Sequence, residues 1–350
     1  MKMHTNPLRR TTSSTGWRPK QLPRRHQRGF TMIELLVALA IGLLITLAAV
    51  SALIATRQGF TTVDAASQLR DNGRFVSDLI QRLGVQTGFK DAAQAAKPSP
   101  PSASGVAANP APNISGFNNA LISASDPLNV STARTGGTEG YGSDILILGF
   151  QVAETFPGSG NSDGSMIDCS GNSTATPAIA RDSQVVSILH VAVSEGDLSL
   201  MCTSSDTGFA PFPASQPIVK GVENFQVLYG VDGVTAGAAP PVAPGDTVPD
   251  SYLRADQLTV AGNPVATNAN WRRVRSLRIG MVLRGPLNSA PDKTAQTLYP
   301  FGLAKASAAG AKGSALSSTN DPGTVFTTAA DGRLRQVVTF TVHLRNDQGL

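Results

Sequence analysis

Few side chains in this 350-residue chain are of types that do chemistry, and their spacing narrows the choice further. Beyond residue 29 the only histidines are His190 and His343, with no metal-ligand spacing around them. There is no Ser-His-Asp arrangement, no phosphate loop and no dinucleotide fingerprint. Gly140-Tyr141-Gly142 reads as a turn, and His343 falls between Thr341 and Arg345 on the polar face of a strand, where a solvated imidazole is expected. No catalytic group, cofactor or metal is therefore expected, and the chain does not read as an enzyme. Asn113-Ile114-Ser115 fits a glycosylation sequon, a pattern given little weight here. Arg272, Arg273, Arg275, Arg278 and Arg284 could meet an acidic partner or DNA, but the plainer reading is a solvated face. Two features remain. One is a lone carboxylate, Glu34, at the front of an apolar run that opens on Gly29-Phe30. The other is a pair of cysteines, Cys169 and Cys202.

The elements around Glu34 are distinct. Residues 1–29 carry eight Lys and Arg side chains and no acid, whereas the rest holds 21 basic against 24 acidic groups. The formal charge of +5 thus belongs to the first segment, and the remainder, near −3, has no basic excess for nucleic acid. From Leu35 to Ala55 there is neither charge nor proline. Twenty-one residues at about 1.5 Å each cross a hydrocarbon core of roughly 30 Å. The basic flank precedes the run, which keeps the N-terminus cytoplasmic and sends the rest across. A secretory signal peptide would have a shorter apolar region followed by a small-residue cleavage site. A plain single-pass anchor accounts for everything except Glu34. Beyond the membrane the compartment is oxidising, so Cys169 and Cys202 read as a disulfide. It would stabilise by roughly 3–4 kcal/mol through loop entropy; the alternative is two buried free thiols.

The helical pattern continues past the apolar run. Leu69, Gly73, Val76, Ile80 and Leu83 share one face, with Phe75 and Leu79 beside them. Residues 90–140 are rich in Pro, Ala, Ser, Asn and Gly and read as a loop-rich connection. Strand-like runs follow at 144–150, 185–193, 198–202, 222–229 (ahead of a turn at 230–233), 277–283 and 334–345, the last alternating most clearly. Breaks at 235–249 and 304–323 read as surface insertions. Too little helix separates the strands for parallel crossovers, so the fold class is α+β: a long N-terminal helix packed on an antiparallel sheet. The expected segments are 1–29, removed; 30–56, the membrane half of the helix; 57–89, its amphipathic half; 90–140, the connection; and 141–350, a β-rich globular domain.

Arg28-Gly29-Phe30-Thr31-Met32-Ile33-Glu34-Leu35 resembles the class III signal of type IV prepilins: a basic leader, Gly before the cut, Phe as the new N-terminus, and Glu at the fifth mature position. The resemblance implies a type IV pilin-like fold, cleavage between Gly29 and Phe30 by a prepilin peptidase, and N-methylation of Phe30. It also implies pairing of Glu34 with the terminal amine of a neighbouring subunit during assembly. A set of ordered pieces resembles one subgroup, the PilW family of minor pilins. Among them are Asp71-Asn72-Gly73-Arg74-Phe75, Asp168-Cys169-Ser170-Gly171, Gly221–Asp232 and Trp271–Ile279, ending in Thr341-Val342-His343-Leu344-Arg345-Asn346. At Val85–Phe89 the sequence departs from the family's short aromatic motif. The resemblance implies partners among other minor pilins, the major pilin and a tip adhesin. It implies residence in the inner membrane, with the C-terminal domain periplasmic, and then in a pilus at the cell surface. A minor pseudopilin of a type II secretion system shares the N-terminal signal and stays open as the alternative. A membrane-anchored binding protein stands behind both.

Overall fold

The computed structural model describes residues 29–95, 109, 111–175, 177–178, 180–205, 212–243, 245–303 and 321–346. The leader up to residue 28 and most of the expected 304–323 insertion lie outside the described residues. The chain divides after Thr56 into two units.

Helix α1 (Met32–Gln86) begins in the first unit. There it is apolar all round: Leu35, Leu39, Leu43 and Leu47 are as exposed as their neighbours, and nothing within this unit covers them. Such a segment suits an apolar medium, not water, and it is long and apolar enough to cross a membrane.

In the second unit α1 changes character. Ala65, Leu69, Gly73, Val76, Ile80, Leu83 and Gly84 are buried at steps of three and four, so one stripe faces the core. Phe75 remains half exposed beside it. The helix ends at Gln86, and Gly88 follows at φ +78°, a conformation that lets the chain reverse toward the sheet. The Gly88 N–H then donates to Gly149 O at 2.9 Å.

After the short α2 (Ala92–Ala95) come β1 (Ile114–Phe117), β2 (Ala120–Ile122), β3 (Ser131–Ala133), β4 (Ile145–Phe150), β5 (Val185–Ser194), β6 (Asp197–Ser205), β7 (Gln216–Lys220) and β8 (Val222–Val231). Then follow β9 (Ser251–Leu253), α3 (Ala255–Leu258), α4 (Pro264–Trp271), β10 (Val274–Arg284), β11 (Thr297–Leu298), β12 (Phe326–Thr327) and β13 (Arg335–His343). One sheet has the order β1-β4-β5-β6-β7 and a second has β13-β10-β8-β9; every pairing is antiparallel.

The main core lies between these elements. Val76, Ile80 and Leu83 of α1 join Leu146, Leu148, Leu189 and Leu200 of the first sheet and Phe225, Val227, Leu277 and Ile279 of the second. Each such side chain contributes roughly 1.5–3 kcal/mol by leaving water. The first sheet is covered on its other face too, where Ile145, Ile147, Val186 and Ile188 pack with Phe117 and Leu128. This is why β4 is buried at every position instead of alternating.

Two expectations need correction. The 90–140 connection supplies β1, β2 and β3, and its Ile114 is fully buried. Those strands are only three or four residues long, too short for an alternation to announce them. Strand β8 runs into the expected turn at 230–233, because Tyr229, Gly230 and Val231 pair with β9. Asn113 of the discounted sequon is a buried side chain leading into β1.

Candidate functional site

Gly29, Phe30 and Glu34, the residues expected to serve processing and assembly, sit at the start of α1. Gly29 and Phe30 precede the first helical turn and are exposed. A side chain added at Gly29 would meet nothing within 4 Å, so any demand for glycine there comes from whatever acts on the bond. Thr31 stands at the N-cap position, with Met32 as the first helical residue and Glu34 as the third. The Glu34 Oε2 accepts from the Thr31 N–H and the Thr31 hydroxyl, both at 3.0 Å, and the Glu34 N–H donates back to Thr31 Oγ1 at 3.4 Å. This is a capping box, in which two helix-end donors are satisfied reciprocally. The Thr-x-x-Glu signature is legible in the sequence, and reading Glu34 for its charge alone passed over it. One carboxylate oxygen is committed to Thr31, and its charge stays at the mouth of the helix.

The second unit contains the other residues singled out. Cys169 and Cys202 form a disulfide with Cα atoms 5.6 Å apart, buried in the main core. It joins the Asp168 loop to β6. That loop is tightened by Asp168 Oδ1, which accepts the N–H groups of Ser170 and Asn172 at 2.9 Å, while Oδ2 accepts the Ser204 hydroxyl. Gln86 at the end of α1 exchanges two hydrogen bonds with the backbone of Ile167 in the same loop. Helix end, disulfide loop and sheet are thus tied at one point.

The arginine cluster is not a solvated face. Arg273 donates to the carbonyls of Asp232, Pro241 and Ala243, pinning the loop after β8. Arg275 lies 3.7 Å from Asp232, and Arg272 donates to Asn109 Oδ1 at 3.0 Å. Arg284 and Arg335 stand directly opposite on β10 and β13, a repulsive pairing by itself. Glu223 on β8 lies between them, bound by both arms of Arg335 at 2.6 and 2.9 Å and by Arg284 at 3.2 Å; Asp197 and Asp331 complete the network. Sequence reasoning could not pair these groups, since Glu223 and Arg335 are 112 positions apart.

His343 is exposed on β13, whereas His190 is buried with its Nε2 3.2 Å from Ser215 Oγ. Burial, helped by the nearby Arg134 charge, pulls the His190 imidazole down to about 4, so it is neutral near pH 7. Among the described residues no group of three or more His, Cys, Asp or Glu could hold a metal.

Residues 24–50 match the family model of the prokaryotic N-terminal methylation motif. Residues 189–346, from within β5 to just beyond β13, match the model of type IV pilus-assembly protein W, PilW. Among solved structures, a type IV-like pilin from Thermus thermophilus is similar at 15% identity and a TM-score of 0.37, covering 81% of this chain and 99% of that one. No curated protein sequence matches.

Proposed function

We propose that this chain, which carries a PilW domain behind a prepilin-type methylation motif, is a non-enzymatic minor pilin that helps initiate assembly at or near a pilus tip. The observation that carries the reading is the union of two features in one chain. An apolar helix start bears Phe30 and the capped Glu34, and a PilW-matched β domain has its core closed by the same helix. A prepilin motif implies processing by a prepilin peptidase and assembly with other pilins.

The proposed mechanism is built on α1. The apolar half holds the precursor in the inner membrane, with the basic leader cytoplasmic and the β domain periplasmic. Cleavage between Gly29 and Phe30 creates a positive amine four residues before Glu34. In a bundle of such helices the Glu34 carboxylate of one subunit meets the amine of the next, and pairing offsets the cost of keeping both charges out of water. The other minor pilins, the major pilin and a tip adhesin are the proposed partners. The PilW match favours a pilus over a type II secretion pseudopilus.

Gold labelling of the β domain on intact cells, together with a chromosomal deletion, tests this. Label confined to pilus ends and a large fall in pilus number support it. Normal piliation in the deletion strain, with loss of protein secretion instead, would move the chain to the pseudopilin class.

A further inference from the structure

A cleft of about 800 Å³ lies over β1, between the segment leading into β3 and the α3–α4 pair. Its volume is that of a small-molecule site, roughly 300–1,000 Å³. The floor is the outer face of the first sheet. Ser115 and Ile147 are register partners there, and Ile147 packs with Phe117, Val186 and Leu128. Gln184 precedes Val186 by two residues, so alternation puts it on the same face. Its amide oxygen lies over Gly149, where a side chain would strike it. Trp271, packed edge-on to Tyr229 at 4.7 Å, closes the α4 side.

Several polar groups of this lining have no partner. Among the described residues, the Ser115 and Ser131 hydroxyls and the Gln184 amide make no hydrogen bond, and all three residues are half-buried. Asn129 binds Asp126 through its N–H groups and leaves its Oδ1 free. Asn118 Oδ1 and Asp182 Oδ1, on two further lining residues, are buried with no donor; such atoms ordinarily meet water or a ligand. The charges, in contrast, are matched. Both oxygens of Asp256 are taken by Arg254 at 2.9 Å. Asp182 stands within electrostatic reach of Lys90 and Arg272. Strand β1 is paired with β4 and has α3 packed against it, so no open ladder awaits another strand.

We infer that this cleft binds a short neutral oligosaccharide, its hydroxyls held by Ser115, Ser131, Gln184 and Asn129 and one ring face laid on Phe117. Three observations select this ligand class. The free groups both donate and accept, as sugar hydroxyls require; Ser offers an O–H and lone pairs, Gln an amide with both. An apolar ligand would leave them all unpaired, which disfavours a lipid chain. The carboxylates of the lining already have cations beside them, so an ion of either sign gains little there. The closed edge of β1 leaves a peptide main chain without its ladder, and the ligand is read by side chains instead. Between the polar groups the floor is Phe117, Ile147 and Val186, which suits the C–H face of a sugar ring. The inference does not depend on cleavage at Gly29 or on the pilus reading.

The test uses the full chain, in micelles of a detergent without a sugar headgroup, on an array of neutral oligosaccharides. Sialylated and sulfated oligosaccharides and random ten-residue peptides are run beside it, and hits are titrated by calorimetry. Neutral sugars are expected to bind. Gln184→Ala and Ser131→Ala remove no hydrogen bond within the protein, so each should keep the unfolding midpoint and weaken binding about threefold to tenfold. Ser115→Phe, which fills the floor, should abolish it. Binding of neutral sugars that all three variants leave unchanged would place the site elsewhere and overturn the inference. An array on which no neutral sugar binds, or on which only the acidic sugars or the peptides do, would overturn it as well.

Discussion

Replacing Gly84 with alanine puts a methyl group where α1 lies closest to β13. The added Cβ would come under 3.0 Å from Val342 Cγ1, 3.6 Å from Val342 Cβ and 3.9 Å from Leu344 Cδ2. Carbon atoms rest at about 3.5–4.0 Å, so helix and strand must part by more than half an ångström or Val342 must leave its rotamer. Val342 is 3% exposed and β-branched, so it has little freedom to do so. Overpacking of this kind costs about 1–3 kcal/mol, against a gain of about 1 kcal/mol from replacing glycine inside a helix. The net expectation for Gly84→Ala is a loss of about 1–2 kcal/mol. Gly73→Ala, whose Cβ would lie 2.9 Å from the tip methyl Val338 Cγ2, should be near neutral. Gly59→Ala, with nothing within 4 Å, should not destabilise. Denaturant unfolding of the cleaved chain in micelles reads this through Trp271, the sole tryptophan after residue 29. The Gly84→Ala/Val342→Ala double variant should lose at least about 1 kcal/mol less than the two singles added together. Stabilisation by Gly84→Ala would refute the close approach of α1 to β13.

The remaining expectations probe separate parts of the molecule. Glu223→Gln leaves Arg284 and Arg335 facing each other, nearly buried, with side chains 11% and 3% exposed, and should cost about 3 kcal/mol in the same unfolding assay; an unchanged midpoint would contradict the network. His190 holds its proton only below about 4, whereas the unfolded chain takes one up below about 6.5. Its folded pKa is depressed, so its contribution is present above about pH 6.5 and is lost as pH falls toward 4, by up to about 3 kcal/mol. His190→Asn should flatten that limb of the stability profile, and parallel profiles would disprove the assignment. At the start of α1, Thr31→Ala removes the cap and keeps the charge, while Glu34→Gln keeps an acceptor oxygen and loses the charge. If charge pairing drives assembly, Thr31→Ala enters sheared pili near the normal level and Glu34→Gln does not; the reverse order would make Glu34 only a cap.

The parts of this fold that could be read from the sequence are those with a period. The α1 stripe from Leu69 to Leu83 writes one buried face into local spacing, and the alternate residues Leu277, Ile279, Met281 and Leu283 of β10 and Val338, Phe340 and Val342 of β13 all reach the main core, although β10 is covered on its other face too. The disulfide was legible because only two cysteines exist beyond a membrane span. What escaped depends on partners distant in the chain. Strand β1 exists because β4 offers it a ladder, not because Ile-Ser-Gly-Phe prefers to be extended. Arg284 on β10 looks solvated until the fold brings Asp197 and Glu223 beside it. At the start of α1 the specific local pattern pointed to assembly and hid the capping box made by the same residues.

The central claim is that this chain is cut at Gly29 and built into a pilus through its new N-terminus. The intact mass of the protein recovered from sheared, washed pili tests it most directly. The account predicts a mass that begins at N-methylated Phe30, with an intramolecular disulfide, in an amount far below the major pilin. Recovery only from the membrane fraction, with residues 1–29 still attached in cells whose prepilin peptidase is active, would contradict it.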